Sequence, residues 1–378
     1  MHPVSLVRCV SYDRAAVHDA VARAVELLGG MSRFVHNGQR VLVKPNLLYP
    51  RASEAAVTTH PEVVRAAVEL AHRAGASEVL VGDSPALARA SSAARVSGLT
   101  AALAGTPARL VEFDSPVEVR GDIYPKLVLA RHVVDADVVI NVGKVKTHAH
   151  TVLTLTAKNL FGCVPGLRKS QWHLRAGSDR NFARLLVDVA RAVRPALNIA
   201  DAVVAMEGNG PGNGTPRALG ALAAGTDPFA VDAALARMLG FRREELPVEA
   251  AAFELGEGPR GPDEIEMLGD PARDLAVLDF RRAAGRQVRF SFLFRLPEWA
   301  MRLGRRYATP KPIISATRCR RCGRCAEICP PKAIALEGDA VPEIDRSACI
   351  HCFCCQEICP FGAVTVKEGP LARVFSTR

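Results

Sequence analysis

An α/β N-terminal domain with a mainly parallel sheet, joined to a small α+β C-terminal domain, is what this sequence predicts. Three observations carry that expectation. Short apolar runs alternate with amphipathic helical patterns through the N-terminal part, as in a parallel sheet covered on both faces. Polar residues collect just after several of those runs. Of the 11 cysteines, all but Cys9 and Cys163 lie between Cys319 and Cys359.

Taken in order, residues 40–44 (Arg-Val-Leu-Val-Lys) read as a strand. Residues 61–74 read as a helix whose apolar face carries Val63, Val64, Ala67, Val68 and Leu70. Residues 78–81 form the next strand, and residues 127–130 and 137–141 two more. A helix over 181–193 places Leu185, Leu186 and Val189 on one side. The glycine-rich stretch 207–215 is a loop, 227–239 is a helix, and 256–275 is irregular. Phenylalanine alternates at period two over 290–294, which suits a strand, and 296–307 suits a basic connecting helix. The expected boundaries are 1–290 for the large domain, 291–311 for a linker, 312–369 for the small domain and 370–378 for a tail.

The chain has 378 residues, 49% hydrophobic and 23% charged, which is globular rather than disordered composition. No run approaches the roughly 20 apolar residues of a membrane span, and the N-terminus shows no signal-peptide pattern. The expectation is a cytoplasmic protein with no membrane partner. Its formal charge is +10. With no Lys/Arg run interleaved with aromatics, that charge points away from nucleic acid and toward a basic surface, an acidic partner or an anionic substrate.

The cysteines supply the strongest motif. Cys319, Cys322, Cys325 and Cys329-Pro330 give C-x2-C-x2-C-x3-C-P, and Cys349, Cys352, Cys355 and Cys359-Pro360 repeat it. This is the spacing of bacterial two-cluster ferredoxins, whose fourth cysteine serves the other cluster. It predicts two [4Fe–4S] clusters with crossed ligands. One is held by Cys319, Cys322, Cys325 and Cys359, the other by Cys349, Cys352, Cys355 and Cys329. Zinc would favour C-x2-C pairs instead. Cys354 reads as a small filler beside the second run. Residues 312–369 resemble the dicluster ferredoxin family, so the small domain is expected to be ferredoxin-like and to move electrons.

In open α/β sheets, ligands bind beyond the carboxyl ends of the strands. Lys44-Pro45-Asn46, Asp83-Ser84-Pro85, the segment from Asn141 through Lys144 and Lys146 to His148, and Lys158-Asn159 each follow an apolar run. Together they predict one cationic pocket for an anionic small molecule. Lys44, Asn46, Lys144 and Asn159 are the expected substrate-binding residues. His148, Lys146 and Lys158 are the expected catalytic ones, with His148 first as general acid. His173, after Arg168, Lys169 and Trp172, suits an exposed loop near that pocket, and Cys163 a buried thiol. Residues 208–214 match neither phosphate-binding glycine pattern.

Seven separated motifs resemble the DUF362 family over residues 5–250. They are the runs ending at Lys44-Pro-Asn-Leu47, Thr58-Thr-His60-Pro61, Val81-Gly-Asp-Ser84-Pro85, Val139 to His148, Thr156 to Gly162, Asp201 to Pro211 and Asp227 to Asp232. Members of that family are often fused to a ferredoxin module. The resemblance implies an iron–sulfur protein with a reductase or other redox-linked role. The leading expectation is an oxidoreductase that takes electrons from an external donor or redox partner protein. A non-enzymatic electron carrier or assembly partner, and a non-redox enzyme with structural clusters, are the alternatives.

Overall fold

The computed structural model describes residues 1–283 and 310–367. A nine-stranded sheet organises the large domain, in the order β11-β1-β10-β9-β7-β2-β3-β4, with β8 paired to β7. The strands are β1 (His2–Arg8), β2 (Arg40–Lys44), β3 (Glu78–Asp83), β4 (Ala108–Glu112), β7 (Val138–His148), β8 (Val152–Thr154), β9 (Leu197–Glu207), β10 (Thr215–Gly225) and β11 (Ile265–Gly269). Strands β9, β7, β2, β3 and β4 run parallel, β10 is antiparallel to both its neighbours, and β11 is parallel to β1. The mainly parallel sheet is as expected.

Period-two alternation explains why both faces are covered. Val41 and Val43 of β2, Val79 and Val81 of β3, and Ile140 and Val142 of β7 enter one apolar core. Leu42, Leu80 and Val139, one residue out of phase, enter another. The helix Pro61–Arg73 closes the first core with Val63, Val64, Ala67 and Val68. Pro61 sits in its first turn, where a missing N–H is harmless, and His60 accepts a bond from the Glu62 N–H. The helix Asp179–Val193 closes the second core with Phe182, Leu185, Leu186 and Val189. Each such aliphatic side chain contributes about 1.5–3 kcal/mol by leaving water.

Several elements differ from the sequence reading. β7 runs on to His148, so Lys144, Lys146 and His148 lie within a strand rather than after one. Residues 127–130 form strand β6 (Leu127–Ala130), but it pairs only with β5 (Pro116–Val119), outside the main sheet. The stretch read as irregular contains β11, an edge strand whose Glu266 and Met267 are exposed and leave little pattern. His173 and Trp172 lie on the helix Arg168–Ala176, not on an exposed loop, because Trp172 packs into the second core. The expected strand at 290–294, the helix at 296–307 and the 370–378 tail lie outside the described residues, as does most of the 291–311 linker. No helix among the described residues is long and apolar enough to cross a membrane.

The small domain pairs β12 (Lys311–Ile314) with β15 (Val364–Lys367), and β13 (Ile334–Ala335) with β14 (Glu343–Ile344). Two short helices, Arg324–Ile328 and Cys354–Ile358, complete it. It sits over the carboxyl ends of the parallel strands. Ile328, Cys354 and Ile358 share an apolar cluster with Tyr49, Val57 and Met206. Asn213 Nδ2 donates to the Cys359 carbonyl at 2.9 Å, and the fully buried Gln356 Nε2 donates to Asn209 Oδ1 at 3.0 Å. The glycine-rich loop between β9 and β10 is therefore a docking element for the cysteine-rich domain.

Candidate functional site beneath the cysteine-rich domain

Parallel strands end in unpaired backbone and in loops, so polar side chains can gather there without breaking the ladder. Level with the carboxyl end of β2, where Lys44 is paired with Asn141 and Asn141 with Asn198, lies a line of four asparagines. Lys146 Nζ donates to Asn46 Oδ1 at 2.9 Å, and Asn46 Nδ2 to Asn159 Oδ1 at 2.9 Å. Asn159 Nδ2 donates to Asn141 Oδ1 at 2.8 Å, and Asn141 Nδ2 to Asn198 Oδ1 at 2.9 Å. Asn198 Nδ2 ends the line on the Thr226 carbonyl at 3.0 Å. Because lysine only donates, it sets the direction of every amide.

The lysines do not converge as four free cations. Lys44 Nζ is 2.8 Å from Asp83 Oδ1 and fully buried. A Cβ on Gly162 would come 2.1 Å from Asp83 Oδ1 and 2.7 Å from Lys44 Nζ, so only glycine can lie over this pair. Lys144 is locked between Asp201 Oδ2 and Tyr12 Oη, both at 2.8 Å. Lys146 lies behind Asn46 and bonds the Val57 carbonyl at 2.6 Å. Burial, with the nearby Lys158 charge, pushes its ammonium down to about 7.

A cavity of about 90 Å³ opens above this network. Lys158, Asn46 and Asn159 line it, together with Lys169, Ser84 and His173. Lys169 Nζ donates to Ser84 Oγ at 2.8 Å, as does the Gly166 N–H. Having accepted two bonds, the Ser84 hydroxyl keeps its own proton to donate. Burial lowers the ammonium of Lys158 from its ordinary value and takes Lys169 down to about 8. The roof is Ile328, Cys354, Glu357 and Ile358 of the cysteine-rich domain.

Glu357 is the residue that sequence reasoning missed. Burial, the largest single influence, would raise its carboxyl, but Lys158, His148 and His173 together outweigh burial and hold it well below the usual carboxylate range. Its Oε2 lies 3.5 Å from His148 Nε2. His148 Nδ1 accepts from the N–H groups of His150 at 2.9 Å and Thr151 at 3.2 Å. The neutral ring therefore carries its proton on Nε2, facing Glu357. Glu357 stands where Glu327 stands in the first cysteine run, so nothing in the sequence marks it as different. Asp83 was read only as part of a strand-end segment and Lys169 only as a neighbour of His173, and neither was given a role.

Burial and then Lys158 push His148 down to about 3. The unfolded chain takes up that proton near pH 6.5, so it binds more protons than the folded chain below that value. Stability is thus expected to fall as pH drops from about 6.5 toward 3, by up to about 1.4 kcal/mol per pH unit. Thermal unfolding of the holo-protein between pH 7 and 5 measures this. His148→Gln should lose less stability over that interval, and an unchanged pH slope would contradict the assignment.

The eight motif cysteines form two groups. Cys319, Cys322, Cys325 and Cys359 line one cavity, and Cys329, Cys349, Cys352 and Cys355 another. Matching residues of the two loops are left-handed: Arg321 and His351 at φ 52° and 56°, Gly323 and Phe353 at 73° and 61°. Backbone N–H groups of Ala333 and Ala363 donate to Cys329 and Cys359 sulfurs, both at 3.3 Å. A donor set of four thiols, with N–H groups aimed at sulfur, fits an iron–sulfur cluster. Cys163 is fully buried, its thiol pushed up to about 12 by burial.

A family model described as a domain of unknown function, DUF362, matches residues 41–237. The chain belongs to the DUF362 family. A second model, the 4Fe-4S dicluster domain, matches residues 318–363. This DUF362 protein is accordingly an iron–sulfur protein with an electron-transfer domain at residues 318–363. It is similar to a thylakoid-associated protein of Synechocystis sp., 41% identical over 276 residues, which are 72% of this chain and 85% of that protein. A solved structure, the lactate racemase apoprotein from Thermoanaerobacterium thermosaccharolyticum, aligns at 11% identity with a TM-score of 0.42. The alignment covers 64% of this chain and 57% of that one, so the chain spans little more than half of it. So slight a likeness carries no functional argument.

Proposed function

We propose that this DUF362 protein is an oxidoreductase that delivers electrons, through two [4Fe–4S] clusters, to a small anionic substrate in the Lys158 cavity. One observation carries the reading. Cys354 lines both that cavity and the cavity of Cys329, Cys349, Cys352 and Cys355, so one side chain separates the two.

Bound clusters would supply single electrons. The chain's own residues do the rest. Lys158 and Lys169 hold the anion, Ser84 donates to it, and Asn46 and Asn159 fix its orientation. Ile328, Ile358 and Phe161 keep water out, which strengthens each polar contact. Lys158, with its ammonium weakened by burial, is placed to give a proton to a substrate that gains negative charge on reduction. His148 lies beyond Glu357 and holds that carboxylate in place rather than reaching the cavity. The expected general acid thus shifts from His148 to Lys158.

The test is anaerobic. Reduced holo-protein is mixed with panels of small carboxylates and phosphate esters, and cluster reoxidation is followed by absorbance. At least one compound should reoxidise the native protein about 10- to 100-fold faster than the Lys158→Met variant, the loss of one charge-assisted contact. If every compound treats the two proteins alike, the cavity is not the electron exit.

A further inference from the structure

The two cysteine loops have matching backbones but opposite surroundings. The first, from Arg318 to Cys325, carries Arg318, Arg320, Arg321 and Arg324 and no Asp or Glu. The matching positions of the second are Ala348, Ile350, His351 and Cys354, none of them Lys or Arg. The cluster fold therefore does not itself require the arginines. Both loops lead into helices that meet the large domain, the second through Cys354 and Ile358 and the first through Ile328 alone. The first loop itself is the more exposed. Arg318, Arg320 and Arg321 are exposed, and Cys322 is the one exposed cysteine of the eight. Among the described residues, none of the four arginines forms an ion pair.

Apolar side chains complete the face. Phe361, 47% exposed, lines the same cavity as Cys322. Leu336, 37% exposed, has its Cδ2 3.5 Å from where a Cβ on Gly323 would lie. An apolar centre inside a charged rim is the anatomy of a transient protein interface. Arginine is the cation favoured at such interfaces.

We propose that this face is the electron entry port, and that its partner is a small acidic protein carrying one electron at a time. The arginines steer the partner's carboxylates, and Phe361 and Leu336 seat it over the Cys322 edge. The partner loses one electron and the module gains one. No covalent bond forms and no proton moves. The inference rests on the reading that the module relays electrons, but not on the substrate.

The probe is an acidic plant-type [2Fe–2S] ferredoxin. Its affinity for the holo-protein is measured by calorimetry as salt is raised, and its rate of module reduction by stopped flow. The native protein should bind it with an affinity that falls steeply with salt. Replacing all four arginines by Gln should weaken binding and slow reduction on the order of 10- to 100-fold. Reduction by the methyl viologen radical cation should be unchanged. Replacement by Lys should restore most of the salt-dependent binding. If the Gln variant fails to retain iron, Arg321→Glu alone replaces it, since Arg321 does not line the cysteine cavity. Binding insensitive to salt, equal binding by native and charge-removed proteins, or binding to anionic lipid vesicles in place of the ferredoxin would overturn the proposal. Failure to find any small-molecule acceptor would leave these affinities and rates as they are, so the two readings fail separately.

Discussion

Replacing Cys359 by Ala is expected to abolish the four-thiolate site of Cys319, Cys322 and Cys325 and to spare the site of Cys349, Cys352 and Cys355. The two loops exchange their last cysteine: Cys359 reaches the first cavity and Cys329 the second. Cysteines at C-x2-C-x2-C spacing surround one cavity from a single loop, whereas the cysteine before Pro330 or Pro360 is turned toward the other. Iron analysis and low-temperature electron paramagnetic resonance would show the first site altered and the second unchanged. Cys329→Ala should give the mirror result. Loss confined to the site nearest in sequence to each substituted cysteine would refute the exchange.

The cysteine spacing was legible in the sequence because thiol ligands have a fixed reach, and reach becomes sequence separation within one loop. The parallel sheet was legible for a similar reason: Val41, Leu42 and Val43 alternate between two cores, and alternation survives in the residue order. The candidate cavity was only half legible. Lys44 and Lys158 look alike as lysines beside apolar runs. What separates them is Asp83 at 2.8 Å in one case and a cavity roofed by Glu357 in the other, and both depend on loops brought together by folding. Glu357 was invisible because its meaning comes from the docking of two domains. β1 escaped notice because Ser5 interrupts its apolar run, although Ser5 is buried and bonds the Ala224 carbonyl at 3.4 Å.

Glu357→Ala is expected to loosen the cysteine-rich domain from the sheet, at a cost of about 3 kcal/mol. The side chain is 19% exposed and faces Lys158 and His148. Removing it leaves Lys158 half-buried without the carboxylate whose charge most supports its ammonium, and a single uncompensated cation is worse than none. Thermal unfolding of the holo-protein should shift down on the order of 4 °C for a chain of this length. Hydrogen exchange should accelerate in the helix Cys354–Ile358 and at His150 and Thr151, whose N–H groups donate to His148. Glu357→Gln, which keeps the shape but not the charge, should fall between. A shift below about 2 °C for the alanine variant would mean that Gln356 and the apolar cluster hold the domains together without Glu357.

The asparagine line has an electrical consequence. Asn46, Asn159, Asn141 and Asn198 all point their carbonyl oxygens toward the Lys146 end. Their dipoles add head to tail, as peptide dipoles do along a helix, and the negative pole falls on Lys146. A buried ammonium that touches no carboxylate among the described residues thereby receives part of a countercharge from neutral groups. Unlike a carboxylate, this pole cannot be removed by a proton, so it stays in place whatever the protonation of the groups around the cavity above.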